Sequence, residues 1–308
     1  MERLSRPQVC VLMASYNGEK YISEQIESIL NQKGVNPALV VRDDGSTDST
    51  IDIIHKYEIE NKIELITGKN LGPARNFYKL LEVSPGYDYY AWSDQDDIWD
   101  SDKLYIGIEK VKENSEGKPF LYYSASRTVD ASGELKGVIG VSNPSITFAQ
   151  ALIQSKAQGA TFVFNKELRD IALKYVPDFK KYNILHDAWL HRVCLAVGGN
   201  VYHDKNAHIS YRIHESNVLA KKPTKSIIKR IRMAFEINSI HYCSDVAKEL
   251  IKGYSIDMPH NNYVLARMMS NYRNSISDKL SLMFSKDIKV NSIKDNCRFK
   301  MNVLISRM

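Results

Sequence analysis

The sequence predicts an α/β fold in which a mainly parallel sheet is flanked by helices and followed by a helical C-terminal region. Three observations carry this prediction. Short apolar runs alternate with helical patterns over residues 8–125, as in βαβ units. Polar and acidic segments follow several of the apolar runs. The net charge is +6 overall, but residues 205–308 carry +11 and the rest carry −5, so the two ends of the chain differ in character.

The regular part of the pattern holds five apolar runs short enough to be strands. They are Val9–Ala14, Leu39–Val41, Ile63–Ile66, Tyr87–Trp92 and Phe120–Ser124. Helical spacing of apolar residues lies between them, at Tyr21–Asn31, Ile51–Tyr57, from Gly72-Pro73 onward and at Leu104–Val111. Ligands bind at the carboxyl ends of strands in such sheets. We therefore expect the polar loops after the first, second and fourth strands to meet at one cleft.

The pattern is less regular from residue 126 to about 215. It predicts a strand at Gly159–Phe164, helices at Lys166–Tyr175 and His186–Val197, and short strands at Val201-Tyr202 and Ile209–Tyr211. The segment Lys221–Arg232 then has six basic residues and no acidic one, with apolar residues at helical spacing. We predict a catalytic domain over residues 1–220 and a basic helical region over residues 221–308.

Composition favours a soluble globular protein. The 308 residues are 44% apolar and 25% charged, enough for a sizeable core. The four cysteines lack metal or redox spacing, which fits a reducing compartment. A charged start and the lack of a long apolar run predict neither a secretory signal nor a membrane span. The expected location is cytoplasmic. The basic region either contacts the inner face of the membrane peripherally or packs its apolar stripe onto the catalytic domain and leaves its lysines solvated.

An acidic segment follows the fourth predicted strand, within WSDQDDIW. Asp94, Asp96 and Asp97 crowd the strand end, and like charges this close repel unless a cation neutralises them. Mg²⁺ and Mn²⁺ prefer oxygen ligands and bridge carboxylates to substrate phosphates. A solvated acidic turn is the alternative, but the flanking Trp92 and Trp99 favour a packed site.

A second acidic segment, VVRDDGSTDST, ends the second predicted strand. An acidic residue there can accept a hydrogen bond from the ring N–H of uracil or thymine. The alternative is a helix start capped by Ser46, Thr47 or Asp48. That alternative leaves Asp43 and Asp44 unexplained.

Four segments together resemble the nucleotide-binding half of family-2 glycosyltransferases. They are VLMASYNGEKYISEQIESILNQ, VVRDDGSTDST, NLGPARNF and WSDQDDIW, in this order. The resemblance covers residues 8–125 well and continues more weakly to about 215. It implies the Rossmann-like GT-A fold, a nucleotide-binding half at about 8–125, an acceptor half at about 126–220, and inverting, metal-dependent transfer of a sugar from a nucleotide donor.

The resemblance also implies roles for individual residues. Asp44 would contact the base, and Asp94 would lie near the ribose. Asp96, with Asp94, would hold Mn²⁺ or Mg²⁺ against the diphosphate. The remaining donor-binding residues would be Ala14, Ser15, Tyr16 and Asp43 around the base, and Asn70, Gly72 and Arg75 in a loop that closes on the nucleotide.

The segment Leu185–Trp189 begins a predicted helix and contains one acidic residue, Asp187. An inverting transferase needs a carboxylate to take the proton of the acceptor hydroxyl, and the resemblance assigns this role to Asp187. The alternative is an acidic residue that only complements the helix dipole. Gly159, in a loop that matches the family near the acceptor, and Trp189 are the predicted acceptor residues.

The segment YRIHESN at 211–217 resembles the YRxHxxN segment of bacterial rhamnosyltransferase-like members. It implies His214 as a third metal ligand and Arg212 as a partner of the diphosphate; a purely structural histidine is the alternative. The residues of this segment and of the acidic segment favour dTDP-L-rhamnose as the donor, and a UDP-hexose is the second candidate. The expected acceptor is a lipid-linked saccharide in surface polysaccharide synthesis.

Two other classes of protein remain as alternatives. A nucleotidyltransferase that makes sugar nucleotides should have a glycine-rich, basic loop after the first strand, whereas this chain has Ser15-Tyr16-Asn17-Gly18. A non-catalytic protein that binds nucleic acid would explain the basic region but not the carboxylates. We therefore expect no nucleic-acid partner.

Overall fold

The computed structural model describes residues 6–142, 146–214, 242–285, 288 and 293–306. Its strands are β1 (Gln8–Ser15), β2 (Asn36–Asp43), β3 (Ile63–Thr67), β4 (Tyr89–Ser93), β5 (Ile98–Trp99), β6 (Phe120–Val129), β7 (Leu135–Ile139), β8 (Val163–Asn165) and β9 (Asn200–Arg212). The predicted basic helix at Lys221–Arg232 and the predicted domain boundary at residue 220 lie outside the described residues.

The helices alternate with the strands in the first half of the chain, as predicted. They are α1 (Ile22–Leu30), α2 (Thr50–Ile59), α3 (Pro73–Val83), α4 (Lys103–Asn114), α5 (Phe148–Ile153), α6 (Lys166–Ala172), α7 (Phe179–Tyr182), α8 (His186–Ala196), α9 (Tyr242–Tyr254), α10 (His260–Asn271), α11 (Ile276–Phe284) and α12 (Ile293–Leu304). No helix within the described ranges has the length and apolarity needed to span a bilayer.

The strands form one sheet in the order β3-β2-β1-β4-β8-β6-β9-β5, with β7 paired to β6. The pairs β2–β3, β1–β2 and β1–β4 are parallel, which confirms the prediction for the first half. Strand β8 is antiparallel to both β4 and β6, while β9 returns parallel to β6. The sheet is therefore parallel where the first half lies and mixed where the second half joins it.

Alternation along β1 divides the core between the two faces of the sheet. Val9, Val11 and Met13 pack with α1, α2 and α4, whereas Cys10 and Leu12 pack with the helices of the opposite face. This is the period of two expected of a strand that is buried on both sides. The arrangement leaves the carboxyl ends of β1, β2 and β4 free to carry polar loops.

Three predicted strands of the second half differ in detail from the structure. Gly159–Thr161 forms a 3₁₀ turn, and β8 begins only at Val163, because Thr161 and Phe162 hydrogen-bond back to Gln158 and Gly159. The two predicted short strands near 201 and 210 are parts of the single strand β9. Its register against β6 shifts near Asp204, whose carboxylate accepts the Asn206 N–H, and this irregularity breaks the apolar pattern.

The C-terminal helices share the core of the catalytic part. Val246, Leu250 and Tyr254 of α9 are fully buried in the same cluster as Trp189 of α8. The Tyr254 hydroxyl donates to the carbonyl of Tyr175 at 2.8 Å, and the Arg192 guanidinium donates to the Tyr242 hydroxyl. The predicted helical character of this region is confirmed over the residues that the structure describes, and α9 packs directly behind α8.

Candidate active site

The polar loops after β1, β2 and β4 meet at one cleft, as chain geometry predicted. The backbone N–H of Tyr16 donates to the Gln95 side-chain oxygen at 2.9 Å, and the Gln95 amide N–H donates to the Tyr16 carbonyl at 2.9 Å. The backbone N–H of Asn17 donates to the Ser46 hydroxyl at 2.8 Å. Backbone groups of the first loop are therefore held by side chains of the other two.

Sequence reasoning missed Gln95, although it lies inside the acidic segment. A Cβ atom on Gly18 would stand 2.2 Å from the Gln95 side-chain oxygen, so a glycine is required for the two loops to approach this closely. The sequence shows Asn17-Gly18 after one predicted strand and a glutamine after another. Their spacing alone does not indicate that these two loops are in contact.

Asp43 and Asp44, which we call the anchor pair, are both buried at the end of β2. Asp43 accepts hydrogen bonds from the Ser15 hydroxyl at 2.9 Å and from the backbone N–H groups of Gly45 and Ser46 at 3.0 and 2.8 Å. It therefore ties the β1 loop to the β2 loop. Ser15, predicted to line the base pocket, serves this tie.

Asp44 holds the loop before α3. Its carboxylate pairs with the Arg42 guanidinium at 2.6 Å and accepts the backbone N–H groups of Leu71 and Gly72 at 2.8 Å. The Arg42 guanidinium also donates to the Asn76 side-chain oxygen at 2.6 Å. Asp44 is thus surrounded by donors of its own chain, which accounts for Arg42, a residue that sequence reasoning left unassigned.

The other predicted donor residues border the same cleft. Ala14 ends β1 half-buried, and Tyr16 beyond it is exposed. The Asn70 side chain accepts the backbone N–H of Gly72 at 3.1 Å, and Gly72 has φ 79°, a conformation that favours glycine. Arg75 is exposed in the first turn of α3, so its guanidinium is free to meet an anion at a helix N-terminus.

Asp94, Asp96 and Asp97, the carboxylate cluster, lie between β4 and β5. Burial, the Asp96 carboxylate and the Asp187 carboxylate together raise the pKa of Asp94 to about 7. Burial also raises the pKa of Asp97 well above its usual range, with further contributions from Asp96 and Asp94. One Asp97 oxygen accepts the Arg212 backbone N–H at 3.3 Å, and the other has no partner among the described residues. The cluster therefore holds more negative charge than its surroundings neutralise.

The end of β9 closes this cluster from the other side. The His214 ring nitrogen contacts the Asp96 carboxylate at 2.6 Å, so the structure brings these two predicted ligands together. Arg212 is different: its buried guanidinium pairs with Glu24, donates to the carbonyls of Asp96 and Ala131, and lies over the Tyr21 ring. Any contact of Arg212 with the diphosphate must add to these, and its predicted role stays a prediction.

The carboxylate cluster offers ligands for a divalent cation. Asp96 contacts His214, and one buried oxygen of Asp97 has no partner among the described residues; carboxylate oxygens are the ligands that Mn²⁺ and Mg²⁺ prefer. Among the described residues, the one grouping of three acidic or histidine side chains whose ligand atoms all lie within 4.8 Å of one another is instead Asp100, Asp102 and His208. Counter-charges already lie there, since Arg127 pairs with Asp100 and His208 contacts Asp204.

Asp187 lies in the first turn of α8, next to the loop that carries Gly159. One carboxylate oxygen accepts the backbone N–H of Ala188 at 2.6 Å and the other accepts that of Gly159 at 3.3 Å. A Cβ atom on Gly159 would stand 2.9 Å from the Asp187 Cβ. The structure thus brings the predicted base and Gly159 together, and it places Asp187 close enough to Asp94 to raise the pKa of Asp94.

Trp189 does not reach the cleft. Its side chain is fully buried against Tyr175 and Tyr254, because its position in α8 faces the C-terminal helices. The prediction that Trp189 contacts an acceptor is therefore wrong, and its role is in the core.

Comparison with known proteins agrees with these motifs. The family model described as Glycosyl transferase family 2 matches residues 10–127, from β1 to β6. The dTDP-rhamnosyl transferase RfbG of Shigella flexneri is 28% identical over 302 residues, covering 88% of this chain and 97% of that protein. Residues 10–127 of the chain thus match glycosyltransferase family 2. The chain is an enzyme of the glycosyltransferase class.

Further relatives of this glycosyltransferase extend beyond the nucleotide-binding half. The UDP-Glc:alpha-D-GlcNAc-diphosphoundecaprenol beta-1,3-glucosyltransferase WfaP of Escherichia coli is 28% identical over 218 residues, covering 70% of this chain and 80% of that protein. The solved structure of S. aureus TarS 1-349 in complex with UDP-GlcNAc has a TM-score of 0.59 at 18% identity, covering 96% of this chain and 79% of that one. Structural likeness at this identity shows the fold alone, which is GT-A.

Proposed function

We propose that this glycosyltransferase transfers one sugar with inversion from a nucleotide donor, in a reaction that depends on Mn²⁺ or Mg²⁺. The observation that carries the proposal is the position of Asp187, a single carboxylate that faces the carboxylate cluster across the cleft and raises the pKa of Asp94. A base on one side and a phosphate-binding cluster on the other is the arrangement that direct displacement needs. dTDP-L-rhamnose is the favoured donor, supported by the likeness to RfbG, and a UDP-hexose is second, supported by WfaP.

The proposed chemistry is a single displacement. Asp187 takes the proton of the acceptor hydroxyl, and the oxygen forms a bond to the anomeric carbon of the donor. The bond from that carbon to the diphosphate oxygen breaks, and its electron pair leaves with the nucleoside diphosphate. The Gly159 and Ala188 N–H groups hold the carboxylate in place. A divalent cation held by Asp94, Asp96 and His214 would offset the negative charge of the leaving diphosphate.

The test is a screen of the purified chain against UDP-, dTDP- and GDP-sugars with Mn²⁺ or Mg²⁺. Release of nucleoside diphosphate and a thermal shift are followed together, so that binding is seen even where no acceptor is present. We expect a response to dTDP-L-rhamnose above the response to the other donors. A response to no sugar nucleotide would contradict the proposal.

We further propose a lipid-linked saccharide as the acceptor, in the synthesis of a surface polysaccharide at the inner face of the membrane. The diphosphoundecaprenol in the name of WfaP supports the acceptor class. Membrane contact rests on the basic segment Lys221–Arg232, outside the described residues, and on α11. There Ile276, Leu280 and Phe284, spaced by four residues, are 79%, 49% and 73% exposed, an apolar stripe on one helix face.

Co-sedimentation with vesicles tests this contact. We expect binding to anionic vesicles at low salt, weaker binding at high salt, and little binding to neutral vesicles. Replacement of Phe284 by Ser should weaken the binding, whereas replacement of the buried-face neighbour Leu282 should act on stability instead. Equal binding to both vesicle types, or none to either, would contradict membrane contact.

A further inference from the structure

His186 begins α8 immediately before Asp187, and its ring is held between aromatic side chains. The imidazole stacks on Phe77 of α3, with ring centres 4.2 Å apart and planes 13° apart. It also packs against Trp92 of β4 at 5.1 Å. Trp92 is fully buried and Phe77 nearly so, which fixes the ring between the acceptor-side helix and the donor-side strand.

The ring nitrogens of His186 differ from those of five other histidines. His55, His191, His203, His208 and His214 each have a hydrogen-bonding partner through a ring nitrogen. No hydrogen bond to the His186 ring is found within the described part of the chain, and the residue is only partly exposed. A fixed imidazole whose nitrogens lack protein partners, next to a base, is suited to a ligand.

Gly159 faces the same ring. A Cβ atom on Gly159 would stand 3.3 Å from His186 Nε2 and 2.9 Å from the Asp187 Cβ. The absence of that Cβ keeps the backbone of this loop clear of both side chains. Nε2 is therefore on the side of the ring where Asp187 and Gly159 lie together.

The charge state of His186 suits a neutral hydroxyl. Burial lowers the pKa of His186, and the Asp187 carboxylate opposes this shift only in part. The ring is therefore neutral at neutral pH, with one nitrogen that donates and one that accepts. A sugar hydroxyl can use either, because it is both a donor and an acceptor.

We propose that His186 is a specificity-determining residue of the sugar subsite, where a ring nitrogen hydrogen-bonds a hydroxyl of the transferred sugar. The transferred sugar must lie between Asp187 and the carboxylate cluster that follows β4. His186 packs on β4 next to this position. Asp187 receives the proton of the acceptor hydroxyl, so His186 is left to recognise the sugar itself. This inference rests on the proposed function.

A buried imidazole makes such recognition selective. A donor that lacks the matching hydroxyl leaves the ring nitrogen unpaired, and leaving a buried polar group unpaired weakens binding. Discrimination of about 5- to 100-fold between two donor sugars follows. Stacking on Phe77 increases this discrimination, because an imidazole ring that cannot rotate cannot hydrogen-bond a hydroxyl at a different position.

The experiment compares His186→Ala and His186→Gln with the wild type. Affinity is measured for a sugar nucleotide and for the matching nucleoside diphosphate with Mn²⁺, and kcat/KM is measured for a panel of donor sugars. We expect His186→Ala to weaken binding of the sugar nucleotide about 5- to 100-fold, to leave the affinity for the nucleoside diphosphate unchanged, and to flatten the ranking of donors. His186→Gln, which retains a donor and an acceptor, should recover part of the loss.

The matched control is His191→Gln, one turn further along the same helix, where the histidine contacts the Ser155 hydroxyl away from the cleft. It should leave the donor ranking unchanged. If His186→Ala lowers the affinity for the nucleoside diphosphate as much as for the sugar nucleotide, or keeps the wild-type ranking, the inference is overturned. If the wild type binds no sugar nucleotide, the proposed function fails instead, and the two failures are thereby distinguished.

Discussion

The anchor pair and the carboxylate cluster are both acidic, both at strand ends and both at the cleft, but their surroundings differ. Asp43 and Asp44 accept hydrogen bonds from neighbouring loops, and Asp44 also pairs with Arg42. In the cluster, Asp94 and Asp97 face other carboxylates, and their pKa values are raised. A carboxylate surrounded by donors holds the framework together, whereas crowded carboxylates are arranged for a cation or a proton.

The same difference in surroundings separates Asp44 from Asp96, two residues for which the family resemblance implies a role. The resemblance assigns Asp44 to the nucleotide base, and in the structure its carboxylate contacts Arg42, Leu71 and Gly72. Any contact with a base must add to these. Among the described residues, the Asp96 carboxylate contacts the His214 side chain.

The largest expected effect is at Asp187. Replacement by Asn keeps the shape of the side chain but removes its ability to accept a proton, so turnover should fall by about 10²–10⁴-fold. Affinity for the sugar nucleotide should be retained, as measured by titration at saturating Mn²⁺. A variant that loses nucleotide affinity and keeps its turnover at saturation would show that Asp187 belongs to the donor site.

Replacement of Asp44 should lower the free energy of unfolding much more than the loss of an ion pair on the surface. Asp44→Asn leaves the Arg42 guanidinium buried without its counter-ion, and breaking a buried pair costs about 3 kcal/mol or more. The control is Glu82→Gln, which breaks the exposed Lys79–Glu82 pair and should cost at most about 1 kcal/mol. Chemical denaturation of both variants checks the contrast. Equal losses would mean that the anchor pair contributes nothing beyond a surface ion pair.

The metal site can be located by matched alanine variants. Asp96→Ala should lower activity about 10²-fold, by analogy with the loss of an electrostatic stabiliser, and excess EDTA should abolish activity of the wild type. Asp102→Ala, in the separate Asp100–Asp102–His208 grouping, should leave the metal dependence unchanged. Full activity of the wild type in EDTA, or a metal response lost only in Asp102→Ala, would refute the assignment to the cluster.

The smallest expected effect is a dependence of stability on pH without metal. The pKa of Asp94 in the folded chain is about 7, above its ordinary value of 3.8. Folding therefore favours the protonated form, and this contribution, complete below pH 4, is lost as the pH rises through 7. Asp94→Asn should stabilise the metal-free chain at pH 8 by about 1–3 kcal/mol relative to pH 5, whereas Glu116→Gln at an exposed site should not. Unfolding at both pH values is the measurement.

The regular half of the fold could be predicted because each strand there is short, apolar and bounded by polar residues. β1, β2 and β4 and the loops after them were found from periodicity and from the fact that parallel strands end on one edge. The 3₁₀ turn at Gly159 and the irregular strand β9 could not be found in this way. Side-chain and backbone hydrogen bonds near Thr161 and Asp204 decide them, and an apolar pattern does not record such bonds.

Prediction of the site residues from the sequence has the same limit. Carboxylates are visible in a sequence as charge, so Asp94, Asp96 and Asp187 can be proposed from the sequence. Gln95 and Lys103 cannot, because a glutamine in a loop and a lysine at a helix start are ordinary surface residues. Here Lys103 is fully buried, with its ammonium nitrogen 3.3 Å from the centre of the Trp99 ring. Burial of a polar residue is a property of the folded chain, and only tertiary contacts reveal it.

The contact between α9 and α8 limits where this chain can be truncated. Val246, Leu250 and Tyr254 fill the space behind the helix that carries Asp187, so a chain truncated before residue 242 would expose Trp189 and Val193 to water. Melting should therefore be a single cooperative event, since the acceptor side and these helices share one hydrophobic cluster. The change of charge near residue 205 marks a difference in surface character, and the unit of folding extends past it.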